Sequence, residues 1–146
     1  MQHLPVYGHK AAVACSQPLA AQAGLDVLCR GGNAADAAVA VAAVLAVTEP
    51  CSTGLGGDCF ALFFDKTEGK VKGMNGSGRS GSGMSIECIE QIKDNSHALF
   101  VTVPGAAAGW EDCWQHWGSG NLSFAEILAP AIAAAKNGCV ILRRRM

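Results

Sequence analysis

Between Ala37 and Val47 no residue is polar at any angle around a helix, and few solutions accommodate such a segment. A surface helix carries an apolar stripe; a helix apolar all round is enclosed by other elements. At about 1.5 Å per residue the run spans roughly 17 Å, well short of the ~30 Å of a bilayer core, so a buried helix is expected rather than a membrane span. Asn33, after two glycines and three residues before Asp36, is placed to accept the first free N–H groups, so the helix is expected to begin there. Glu49 and Pro50 end it, because the residue before a proline is pushed out of the helical region.

The loop CSTGLGGD then leads to Cys59–Phe64, which is apolar at every position instead of alternating. That pattern predicts a strand covered on both faces. Upstream, Ala11–Ala14 reads as a short strand and Ser16 as the cap of a helix with Pro18 in its first turn. Gln22, Asp26 and Arg30 fall four residues apart, predicting one narrow polar stripe with an Asp26/Arg30 pair, and Gly31 and Gly32 stop that helix. Downstream, Val71–Asn75 is expected to return as the second arm of a hairpin, Ser85–Lys93 as a short helix and His97–Val103 as a strand. Trp110, Cys113, Trp114 and Trp117 share one helical stripe opposite Glu111, Asp112 and His116. Ser123 and Glu126 spell a capping box, with Leu122 and Ile127 as its hydrophobic staple; Pro130 is a kink candidate, and Asn137 with Gly138 ends the helix. The order is α/β.

At 146 residues, half of them hydrophobic and 16% charged, the chain is a globular polypeptide of about one domain. A wholly apolar helix and three tryptophans are a large burial demand at this length, pointing to further layers. Net charge is −1 and the basic cluster Arg143–Arg145 sits at the end, so no nucleic-acid footprint is present. Seven cysteines without a CxxC pair, and no secretory start, favour a reducing, cytoplasmic setting.

Two features suggest binding chemistry. GSGRSG at 76–81 matches the glycine pattern of dinucleotide sites after a strand, but no acidic residue follows at the end of a second strand. Arg79 is the only arginine between Arg30 and the terminal cluster, and its planar fork suits two-point contact with a carboxylate. Against nucleophilic or metal chemistry, no serine occupies a GxSxG elbow, no cysteine has an evident histidine and acid partner, and the four histidines lack ligand spacing. His97 and His116 read as ordinary surface or strand-edge residues and the tryptophan stripe as core. No cofactor or metal is implied.

The ordered run PLAAQAGLDVLCRGGNAADAAVAVAAVLAVTEPCSTGLGGDCFALFFD, followed by NGSGRS, VTVPGAAAGW and SFAEILAPAIAAAKNG, resembles the N-terminal part of γ-glutamyltransferases, or glutathione hydrolases, over residues 11–138. GLGGDCF and NGSGRS resemble the glutathione hydrolase-like branch. The resemblance implies part of the αββα sandwich of N-terminal-nucleophile hydrolases, in which a self-cleaved precursor exposes a threonine that attacks the γ-glutamyl amide. It makes Arg79 the residue that binds the substrate α-carboxylate. Thr48, Thr53, Thr67 and Thr102 do not begin the Thr-Thr/Ser-His type of sequence expected at the processing site, so no residue here is assigned as catalytic. The expectation is a truncated large-subunit piece, inactive alone, lacking the small subunit, with 139–146 as a divergent tail. The alternatives are a non-catalytic regulatory isoform that docks through an uncovered sheet, and a nucleotide-binding module built on Gly76, Gly78 and Gly81.

Overall fold

The computed structural model describes residues 7–90, 92 and 97–140. Helix α1 (Pro18–Cys29) and helix α2 (Ala34–Thr48) are followed by the strands β1 (Cys59–Asp65) and β2 (Lys70–Gly76). A short helix α3 (Ile86–Glu90), a 3-10 turn (Ala98–Phe100), helix α4 (Ala106–Trp117) and helix α5 (Phe124–Asn137) complete the order. The wholly apolar α2 is the hub: α1, α4 and α5 all pack on it. Val39, Ala40 and Val44 of α2 are buried beside Val27 of α1, Trp110 of α4 and Ile127 of α5. Small side chains make this possible, since a Cβ on Gly24 of α1 would stand 2.7 Å from Val41 Cγ2.

The start of α2 carries a polar knot. Asn33 Oδ1 accepts from the Ala35 and Asp36 amides, and Asp36 Oδ2 accepts from the Asn33 amide at 2.9 Å, so the cap is reciprocal. Asp36 is fully buried, and Oδ2 also accepts from the Ser119 amide at 3.0 Å, while Asn33 Nδ2 donates to the Trp117 carbonyl. The α1–α2 turn is thereby tied to the turn after α4. Ser123 and Glu126 form the second capping box, with Leu122 and Ile127 both buried, and Gly138 at φ 82 follows the last residue of α5. Pro130 lies within α5.

The strands form an antiparallel hairpin in which Cys59 pairs with Gly76 and Asp65 with Lys70. One face rests on the helices, where Phe63 stacks on Trp117 with ring centroids 5.6 Å apart. The other face is bare: Phe60, Leu62 and Phe64 are 68%, 83% and 61% exposed. A strand apolar on both faces thus finds only one covering layer among the described residues.

Several local expectations are corrected. Residues 11–14 have no strand partner, because pairing needs a neighbour that apolar composition alone does not supply. Gln17, not Ser16, precedes α1, with Pro18 in its first turn, and the Ser16 hydroxyl instead bonds Glu49 at 2.5 Å. Leu19 and Leu25 are exposed, so α1 shows more than a narrow polar stripe. Arg30 reaches across to Glu126 at 2.6 Å rather than pairing with Asp26, which accepts from Gln22. The run 97–103 forms a 3-10 turn and an extended tail instead of a strand. The predicted 85–93 helix is described only over Ile86–Glu90, and Arg143–Arg145 lie outside the described residues.

Candidate functional site

Arg79 lies in the loop that leaves β2, exposed, with no partner for its guanidinium among the described residues. Its backbone is held from two sides. Gly78 N donates to Asp58 Oδ1 at 2.8 Å, and the Arg79 carbonyl accepts from the Val103 amide at 3.3 Å. Asp58 Oδ1 also accepts from the Thr102 hydroxyl at 3.3 Å, and Asn75 Oδ1 closes a turn by accepting from the Ser77 amide at 3.0 Å. Three loops therefore meet: 54–58 before β1, 76–81 after β2, and 102–105 before α4.

The approach is close enough to demand glycine at two points. A Cβ on Gly78 would lie 1.7 Å from the Val103 carbonyl oxygen, and one on Gly105 2.1 Å from that of Gly76. Gly105 offers α4 no side-chain cap; the Gly57 carbonyl instead accepts from the Gly105 and Ala106 amides at 3.1 and 2.9 Å. Beside this junction opens a cavity of about 530 Å³, bordered by Pro50, Thr53, Gly57, Asp58 and Trp110.

The glycine pattern lacks the surroundings of a dinucleotide site. Such a site takes a parallel βαβ unit with a helix opening at the loop, whereas β1 and β2 are antiparallel and α3 starts five residues beyond Gly81. Gly78's amide is already directed at a carboxylate, which would repel a phosphate.

Nor do nucleophiles gather here. Cys59 contacts the core and its thiol is pushed up by burial; Cys113 is pushed up to about 11, by burial first and by Cys59 and Asp112 after it. Both thiols therefore stay protonated and unreactive near neutrality. His97 Nδ1 accepts from the Leu99 amide and His116 Nδ1 sits 2.9 Å from the Asp112 carbonyl, both at the surface. Among the described residues no three His, Cys, Asp or Glu side chains converge as a metal site. No described helix is long and apolar enough to cross a membrane. The arrangement exposes one guanidinium on a loop whose backbone is held at Gly78 and at the Arg79 carbonyl. Arg79 was legible in the sequence, whereas Asp58 and Thr102 were not, because their partners lie 20 and 44 residues apart in the chain.

Solved structures share this architecture. The gamma-glutamyltranspeptidase of Helicobacter pylori superposes with a TM-score of 0.81 at 29% identity, over 92% of this chain and 40% of that one. The cephalosporin acylase of Bacillus halodurans gives 0.77 at 42% identity, over 95% and 27%. The fold is that of the N-terminal-nucleophile hydrolases, of which the described residues form a part, with five α-helices and a two-stranded hairpin. Among curated proteins, the glutathione hydrolase-like YwrD proenzyme of Bacillus subtilis (strain 168) is 43% identical over 136 residues, covering 91% of this chain and 26% of the relative. The chain thus spans about a quarter of that relative's length. The model of the family described as gamma-glutamyltranspeptidase matches residues 20–145, and the chain belongs to that family.

Proposed function

We propose that this chain supplies the substrate α-carboxylate site, through Arg79, to an enzyme that hydrolyses or transfers γ-glutamyl amides by way of a threonine acyl-enzyme. The observation that carries the reading is the exposed Arg79 guanidinium, without a partner among the described residues, on a loop fixed at Gly78 and at its own carbonyl. An arginine held by its backbone with a free fork suits two-point recognition of a carboxylate. Relatives named glutathione hydrolase proenzymes support the γ-glutamyl class and a precursor that is processed. The seven free thiols are in keeping with a reducing, cytoplasmic setting.

These 146 residues by themselves are proposed to be inactive. Thr48 is buried and bonded to the Val44 carbonyl, and Thr102 is engaged with Asp58. None of the four threonines carries the free α-amino group that serves such a nucleophile as base. Incubation of the purified chain with γ-glutamyl-p-nitroanilide, beside its Arg79→Ala variant and the B. subtilis relative, tests this. Turnover by the relative alone is the expected result; Arg79-dependent turnover by these 146 residues would overturn the inactive-piece reading. A second reading, a non-catalytic isoform that docks on a longer relative, is favoured by the bare face of Phe60, Leu62 and Phe64. It predicts co-purification with that relative and loss of the complex in Leu62→Lys.

A further inference from the structure

We infer that Asp58 is the positioning residue of the Arg79 loop: its carboxylate latches segment 76–81 to segment 102–105 and so fixes where the guanidinium is presented. One oxygen does the work, since Oδ1 accepts from both the Gly78 amide at 2.8 Å and the Thr102 hydroxyl at 3.3 Å. Gly78 is the residue immediately before Arg79, and the next backbone bond on the far side, Val103 N to the Arg79 carbonyl, closes the ring at 3.3 Å. Asp58 is only one residue from Gly57, whose carbonyl holds the first amides of α4, so the loop is referred to a helix anchored in the core.

One side-chain oxygen holds both donors, so losing it frees the Gly78 amide and the Thr102 hydroxyl together. Neither Gly78 nor Gly105 can be replaced by a bulkier residue to compensate, because both carbonyl contacts are already closer than a Cβ permits. The loop's order therefore depends on the Asp58 side chain.

The functional consequence rests on Arg79 being the carboxylate site, but the latch is measurable without it. Amide hydrogen exchange is followed at Gly78 and, as a core reference, at Val44 in the 146-residue chain and in Asp58→Ala and Asp58→Asn. L-glutamate is titrated into the same proteins and into Arg79→Ala. The expected result is about tenfold or faster exchange at Gly78 in Asp58→Ala with Val44 unchanged, and near-native exchange in Asp58→Asn, whose amide oxygen still accepts both bonds. Glutamate affinity should weaken in Asp58→Ala and recover in Asp58→Asn. Unchanged exchange at Gly78, equal acceleration at Val44, or no rescue by asparagine would each overturn the assignment. Glutamate binding that ignores Arg79 would overturn the carboxylate reading alone, since Gly78 exchange still decides the latch.

Discussion

At the residue scale, identical side chains take opposite characters from their surroundings, as the cysteines do. Cys113 is buried on the core-facing side of α4 and its thiol is pushed up to about 11, chiefly by loss of water. Cys88 is exposed, and the Ser85 hydroxyl, followed by the backbone bond to Ser85, holds its thiol below the ordinary range. Because the thiolate is the nucleophile, iodoacetamide at neutral pH should alkylate Cys88 in the native chain and reach Cys113 only after denaturant is added. Peptide mapping by mass spectrometry reads this, and early labelling of Cys113 would contradict its burial. The sequence placed Cys113 on the tryptophan stripe but did not show the lowered thiol of Cys88, which depends on the Ser85 hydroxyl.

At the element scale, the capped helices are the most legible feature of the chain. Asn33 with Asp36 and Ser123 with Glu126 both form the reciprocal boxes that their spacing predicts, because a cap is settled within four residues. Ser123→Ala should lower stability by about 1 kcal/mol in urea unfolding. Glu126 is held below the ordinary carboxylate range, first by the Ser123 amide, then by the Ser123 hydroxyl, with Arg30 adding to both. A folded-state pKa that is depressed stabilises above the unfolded value, so this contribution is complete near neutrality and is lost as pH falls below about 4.5. The melting-temperature gap between the parent and Glu126→Gln should therefore narrow as pH falls below about 4.5. Strands were less legible. Val71–Asn75 pairs because a four-residue polar turn, 66–69, brings it back, whereas 97–103 pairs with no strand among the described residues.

At the scale of the whole molecule, the hairpin divides the chain into a closed side and an open one. Helices α1, α4 and α5 pack on α2, while Phe60, Leu62 and Phe64 face solvent on a two-stranded sheet. An apolar face with unpaired strand edges is a site of self-association. Leu62, at 83% exposed, makes few contacts to lose, so Leu62→Lys should reduce light scattering on concentration while leaving the melting temperature within a degree or so. A large fall in melting temperature would show that this face is covered in solution.

The sequence by itself determined what is set within a turn or two of chain: where α2 and α5 begin, that α4 docks by its tryptophans, and that Arg79 stands alone in a glycine loop; α2 is the hub, but Ala34 and Ala38 are exposed, so its full enclosure is not met among the described residues. Only the tertiary structure decided which face of β1 is covered, that Arg30 pairs with Glu126 rather than Asp26, and that Asp58 and Thr102 hold the Arg79 loop. Helical caps and stripes follow a fixed local period, so neighbouring residues specify them. Sheet coverage, ion pairs and loop latches join residues 20 to 96 positions apart, and no local pattern encodes which distant group will arrive.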